Sequence, residues 1–182
     1  MKSRMLIAAC IAASLACSLA AAQSAPSTSA GAMPMRGNAM QGTIDAMFMK
    51  SASAANLDEV ALGQLALSQG TNSDTRAFAQ RMISDHTAAN KQLGAIAGNQ
   101  SILVSQAPSS DEQATYDRLK GLQGDTFDHS YDKQAVKDHQ DAINLFNQEI
   151  DQGTNPALRN FALKTLPTLR EHLSMALRLP QG

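Results

Sequence analysis

The sequence predicts an all-α protein: a bundle of four long helices, with an extra short helix in the connection between the second and the third. Small and apolar residues recur at steps of three and four along four long stretches, which places them on one face of an α-helix. Each stretch is also bounded by residues that cap or stop helices. A third observation bears on function, because each apolar face is interrupted near its middle by one polar residue: Glu59, His86, His139 and His172 in turn.

The chain of 182 residues is long enough for one domain with a single core. Lys2 and Arg4, the apolar run from Met5 to Ala20, and Ala20-Ala21-Ala22 ahead of Gln23 read as a secretory signal, so residues 1–22 are set apart from the fold. Both cysteines, Cys10 and Cys17, lie inside it. The mature chain would then enter an oxidising compartment without a thiol, and its stability must come from packing or bound ions. Ser14-Leu15-Ala16-Cys17 is an incomplete lipidation site, lacking the aliphatic residue three before the cysteine. Retention of the segment as an anchor is a third outcome.

The formal net charge of −1 becomes more negative once Lys2 and Arg4 are removed, which argues against nucleic acid as a partner. There is no tryptophan to build a stacking platform. Beyond the signal, no apolar run is long enough to span a bilayer. Residues 23–42 are small, polar and rich in Gly, Pro and Ser, the composition of a flexible linker. Met33, Met35 and Met40 within it could offer thioethers to a soft ion, but scattered linker methionines are the simpler reading. The folded domain is expected over 43–179.

The first helix is predicted to start at Thr43 as its cap and to stop at Gly70, with Phe48, Ala52, Ala55, Leu62 and Ala66 along its seam. Glu59 falls into that series, where a carboxylate is costly to bury unless neutralised, hydrogen-bonded or bound to a cation. The second begins after Ser73 and runs to about Gly98, its seam made by Phe78 or Ala79, Met82, His86, Ala89, Leu93 and Ile96. Asp85 is turned about 100° from His86 and flanks it.

Ser109 and Glu112 have capping-box spacing at the head of the short helix, which Gly121 and Gly124 end. The third long helix spans 125–152, with Ala135, His139, Ala142 and Phe146 on one stripe and Gly153 as its stop. Asn155 and Pro156 open the fourth, where Leu158, Ala162, Thr165, Leu169, His172 and Ala176 keep the spacing. Pro167 removes one backbone donor inside it and is expected to bend or restart the helix. No internal repeat is apparent beyond the helical pairs themselves. His129 and the charges Asp132, Lys133, Lys137 and Asp141 read as an exposed face.

At ~1.5 Å per residue, Glu59 and His86 lie roughly 16 Å and 20 Å from the turn between their helices, and His139 and His172 about 21 Å and 25 Å from theirs. All four are central, so they converge under either up-down-up-down threading or a long crossover between the second and third helices. Their neighbours one turn away are mostly alanine or glycine, which leaves room for a cluster or an ion.

The segments Glu59-Val60-Ala61-Leu62-Gly63, Arg76-x-Phe78-Ala79-x-x-Met82-x-x-Asp85-His86, Phe127-Asp128…Tyr131, Asp138-His139 and Thr165-Leu166-Pro167-Thr168-Leu169…His172-Leu173 resemble the bacterial exported domain-of-unknown-function family 4142. That resemblance covers roughly Ile44 to Leu177. It implies a ferritin-like bundle, export, and a place in the periplasm or at the outer membrane. The Glu-x-x-His pairs of ferritin-like di-iron proteins are missing, since Ile83, Val136 and Leu169 stand three residues before the histidines.

What remains suits a single divalent transition metal held by nitrogen and oxygen. Glu59, His86, His139 and His172 are the candidate ligands, with Asp85, Asp138 and Glu171 as acceptors behind them. The competing reading makes the same residues a buried network that only sets helix register, in a protein that binds another envelope component through its surface or its linker. An enzyme is less favoured: there is no nucleophile motif, no phosphate-binding glycine loop and no cysteine in the mature chain, so neither catalytic residues nor an organic cofactor are assigned.

Overall fold

The computed structural model describes residues 36–98 and 103–180, so the expected signal peptide and residues 23–35 of the expected linker lie outside the described residues. Five helices follow in order: α1 (Arg36–Gln69), α2 (Ser73–Gly98), α3 (Ser110–Lys120), α4 (Gly124–Gln152) and α5 (Pro156–Ala176). The four long ones form the bundle, which is all-α and ferritin-like, and α3 is the short helix expected in the connection.

Local chemistry explains most of the boundaries. Ser109 and Glu112 form a complete capping box at α3, and the Asn155 side chain accepts from the Ala157 and Leu158 amides ahead of α5. Two starts differ from expectation. Asn72, not Ser73, caps α2, its Oδ1 accepting from the amides of Asp74 at 2.8 Å and Thr75 at 3.2 Å. α1 begins at Arg36, within the stretch expected to be linker, so Thr43 lies inside the helix. Packing of its later turns extends a helix that composition alone would not support. α5 runs through Pro167 without a break, which excludes a restart there.

α1 packs against α2 and α4, and α5 packs against α2 and α4. Asp45 near the start of α1 meets Thr154 beyond the end of α4, while Asp128 near the start of α4 meets Thr71 beyond the end of α1. Adjacent helices are therefore antiparallel, and α2 must connect to α4 by the long crossover. Ser105 in that crossover bonds Ser53 on α1, and the Lys120 carbonyl at the end of α3 accepts from Gln69 at the end of α1. The connection thus climbs along α1 and carries α3 between α1 and α4.

The two hairpins repeat one another, which corrects the expectation of no internal repeat. At one constant spacing, Gln69-Gly70-Thr71-Asn72 recurs as Gln152-Gly153-Thr154-Asn155, Asp45 as Asp128, Ala52 as Ala135, Arg76 as Arg159 and Phe78 as Phe161. The interactions repeat with the residues. Asp128 Oδ2 accepts from the Thr71 and Asn72 amides and the Thr71 hydroxyl, and Asp45 accepts from the Thr154 and Asn155 amides and the Thr154 hydroxyl.

Arg76 donates to the Leu67 carbonyl, as Arg159 donates to that of Ile150. Phe78 meets Tyr131 edge-on at 6.3 Å, as Phe161 meets Phe48 at 6.3 Å. Gly70 and Gly153 permit the close turns: a Cβ would fall 2.6 Å from Asp128 Oδ1 in one and 2.4 Å from Glu149 Oε1 in the other. The bundle is a helical hairpin and its near-copy related by a pseudo-twofold axis.

The core divides into two apolar clusters. One, at the α1–α2 turn, includes Leu62, Phe78, Met82, Phe127 and Tyr131. The other, towards the α4–α5 turn, includes Phe48, Leu93, Phe146, Phe161 and Leu169. Asp132 is a second correction: it is fully buried, and both its carboxylate oxygens accept from the Thr75 hydroxyl. His129 is half-buried, with Nδ1 3.0 Å from the Pro180 carbonyl, so it too departs from a solvated face.

Charged hydrogen bonds to buried groups are worth about 1.5–3 kcal/mol each. Asp45→Ala and Asp128→Ala should therefore each destabilise the fold by roughly 2–3 kcal/mol in urea denaturation. The repeat requires similar losses at the two turns; a loss at one turn alone would contradict it.

Glu149, buried beside Asp45, breaks the repeat, since its counterpart is Ala66. Burial, and then the Asp45 charge, push its carboxyl from 4.5 up to about 8. The folded chain therefore holds a proton that the unfolded chain releases at lower pH. Its stabilising contribution is complete below the unfolded value and is lost as pH rises through about 8. Thermal midpoints in chelator should fall between pH 6 and pH 9, and Glu149→Gln should flatten that slope.

Candidate metal centre

Four helices deliver polar side chains to the layer between the apolar clusters. His86 comes from α2, His139 from α4 and His172 from α5, all buried, with exposures of 6%, 1% and 1%. Ring centroids are separated by 5.6 Å for His86 and His139, 5.6 Å for His86 and His172, and 5.3 Å for His139 and His172. Each ring offers a nitrogen to a set whose members lie within 4.8 Å of one another.

One nitrogen of each ring faces an oxygen that can only accept from it. His86 Nδ1 donates to Asn56 Oδ1 at 2.8 Å, His139 Nδ1 to the Ala135 carbonyl at 2.8 Å, and His172 Nε2 to Asp85 Oδ2 at 3.0 Å. These bonds set the tautomers, because a neutral imidazole with one N–H engaged carries its lone pair on the other nitrogen. The remaining atoms, His86 Nε2, His139 Nε2 and His172 Nδ1, are buried and have no hydrogen-bond partner.

Electrostatics keep the rings neutral. Burial, then the neighbouring His139 and His172, lower His86 from 6.5 to about 3. Burial lowers His139 to about 4, against the opposing effect of its bond to Ala135. His172 is also lowered by burial, although Asp85 opposes the shift. Burial alone would raise Asp85, but hydrogen bonds from Arg81 and His172 outweigh it and hold the carboxylate low. Asp85 is thus ionised, held by Arg81 from its own helix and accepting from His172 on another.

The other residues singled out from sequence take different places. Glu59 is 5% exposed, with Oε1 3.5 Å from His139 Nδ1, the nitrogen engaged with Ala135. It therefore stands behind that ring, away from the unpartnered Nε2. Burial, then the charges of Asp138, Asp58 and Glu112, push its carboxyl well above the usual carboxylate range. Asp138 accepts from Gln134 at 2.9 Å rather than from His139. Glu171 is largely exposed and lies 3.9 Å from Arg81, while Asp85 takes the place beside His172.

Asn56 and Asp58 escaped the sequence reading. Both are buried, Asn56 orients His86, and Asp58 has an unpartnered Oδ1. One signal was present: Asn56 is one turn before Glu59 on the same helix, where an amide interrupts a run of alanines. A cavity of about 350 Å³ opens between α1, α4 and the head of α3, and its lining includes Asn56, Asp58, Glu59 and His86.

Chemically, three convergent neutral imidazoles with oriented lone pairs suit a borderline divalent metal. A tetrahedral ion with bonds of about 2.0–2.1 Å needs nitrogens roughly 3.3 Å apart, so small side-chain rotations would close the set. Among the described residues no helix is long and apolar enough to cross a membrane.

Solved structures place the fold beside the DUF305 proteins. One, from Streptomyces coelicolor, is 13% identical with a TM-score of 0.63, covering 73% of this chain and 88% of that one. A DUF305 fragment from Deinococcus radiodurans is 14% identical with a TM-score of 0.65, covering 74% and 93%. No curated protein matches the sequence. The family model of the domain of unknown function DUF4142 matches residues 30–179, nearly the whole of the folded region, and the chain belongs to that family.

Proposed function

We propose that this is an exported bundle protein of the bacterial envelope that binds one divalent transition-metal ion through His86, His139 and His172. The observation that carries the reading is the set of three buried imidazole nitrogens, each without a partner, on rings whose other nitrogens are already held by hydrogen bonds. Leaving a buried polar atom unsatisfied costs about 1–3 kcal/mol. Three in one layer make a poor packing device and a preorganised ligand set.

In this reading Asn56, the Ala135 carbonyl and Asp85 orient the ligands, as acceptors behind metal-bound histidines do. Glu59, considered from sequence as a fourth ligand, supplies a buried carboxyl behind His139. The remaining coordination positions are left for water or a bound partner group. Export is supported by the charged and apolar N-terminal segment and by likeness to a Streptomyces protein described as a candidate secreted protein. We further propose a periplasmic or outer-membrane-associated location, which the resemblance to the exported family supports.

The alternative, a network that only sets helix register, accounts for the three hydrogen bonds but not for the three bare nitrogens. His139→Leu separates the two readings. Under the metal reading it abolishes binding, while under the packing reading it leaves both fold and cellular role intact.

Purified without a histidine tag, the chain should take up one equivalent of Zn²⁺, Co²⁺, Ni²⁺ or Cu²⁺. At a hundredfold excess over the dissociation constant, binding should add about 2.7 kcal/mol of stability. A melting temperature indifferent to every one of these ions would refute the assignment. Asp85→Asn and Asn56→Leu should keep the fold but weaken affinity about 10–100-fold, read by competition with a chromophoric chelator. Glu171→Gln, at the exposed acid next to His172, should leave affinity within about twofold of wild type, because Asp85 alone accepts from that ring.

A further inference from the structure

The cavity between α1, α4 and the head of α3 is not accounted for by metal retention alone. Six carboxyl side chains line it: Asp58 and Glu59 from α1, Asp111 and Glu112 from α3, Asp138 and Asp141 from α4. The single basic residue in the lining, Lys137, is already engaged, its Nζ 2.7 Å from Asp141 Oδ2. Burial pushes Asp58 up to about 8 and Glu59 well above its ordinary value. The negative charge of the cleft therefore comes from Asp111, Glu112, Asp138 and Asp141, which still outnumber the single lysine in a concave, partly desolvated space where field lines concentrate.

Two buried atoms show where the cavity leads. Asp58 is 4% exposed with Oδ1 unpartnered, and His86 is 6% exposed with Nε2 unpartnered. Both residues line the same space, so it joins the exposed acids Asp111 and Asp141 at the surface to one of the three candidate ligands. His139 and His172 are not part of the lining. An ion arriving by this route meets His86 first.

Resting on the metal-binding reading above, we infer that this cleft is the admission route for the ion, an acid-lined passage that gathers hydrated divalent cations and delivers them to the histidines by way of His86. Its acids act on the rate of loading and not as ligands of the bound ion. Anionic chelates and negatively charged small molecules are disfavoured in the same passage. Electrostatic focusing of this kind changes association rates by about 10–10³-fold and weakens as salt is added.

The experiment follows Co²⁺ loading of the purified, untagged chain by stopped-flow absorbance of the metal's d–d bands. Asp111→Asn/Asp141→Asn removes two exposed charges at the mouth without touching a histidine or its hydrogen-bond partner. A control, Asp74→Asn/Asp151→Asn, removes two exposed charges outside the cleft. The mouth variant should load about tenfold more slowly than the control at low salt and give the same final spectrum. The difference should vanish near 1 M salt, where screening shortens to ~3 Å.

Equal rates for mouth variant and control, with a normal cobalt spectrum, would overturn the admission route and leave the metal site standing. A wild-type chain that develops no cobalt spectrum would overturn the metal site and the route together. A mouth variant whose final spectrum is altered would also overturn the inference, since its acids would then be ligands.

Discussion

Everything in the middle of this bundle follows from burying three neutral imidazoles together. A charged imidazole in that layer would face two like neighbours at ring separations of 5.3–5.6 Å, with little water to screen them. Neutrality is the only low-cost state, and a neutral imidazole has one donor and one acceptor nitrogen. The surrounding residues satisfy only the donors. Asn56, the Ala135 carbonyl and Asp85 come from α1, α4 and α2, so holding the rings needs at least three helices in register. The apolar clusters close the layer on either side along the bundle axis, and the cleft beside His86 is its opening.

The pseudo-twofold repeat shows where the two halves match and where they differ. Both turns keep the same Gly-Thr-Asn clamp on an aspartate from the opposite hairpin, because that clamp locks α1 to α4 at each end of the bundle. The middle does not match. Asn56 on α1 occupies the position that corresponds to His139 on α4, and His172 on α5 corresponds to Ala89, one turn from His86 on α2. The metal candidate is therefore asymmetric within a symmetric frame. One half supplies a single histidine and an orienting amide; the other supplies two histidines.

How much of this was legible in the sequence depends on the range of the interaction. Helix identity and most stops were readable because capping, glycine and seam spacing act within a few residues; Ser109 with Glu112 and Asn155 with Pro156 are local devices. The convergence of His86, His139 and His172 was readable because each lies on its helix's apolar seam at a similar height. Long-range choices were not. That Asp85 serves His172 rather than its neighbour His86 depends on the packing of α2 against α5. Asp132 reads as a surface charge until Thr75 of α2 is packed over it. The repeat was hidden because the matching residues are short clusters separated by unlike sequence.

The donor set also decides what kind of ion the layer can favour. Calcium and magnesium take several oxygen ligands, and the two carboxyl groups that meet the imidazoles, Asp85 at His172 Nε2 and Glu59 beside His139 Nδ1, both lie on the engaged side of their rings. A di-iron centre needs carboxylates bridging two metals, which three imidazoles and their distant acids do not provide. Soft monovalent ions prefer sulfur, and no methionine lies among the three ligands. Borderline divalent ions that accept imidazole in low coordination number remain. Under the proposed reading, acids at the mouth and imidazoles at the end have separate tasks: oxygen attracts any small cation through its field, and nitrogen retains only those that tolerate losing their water.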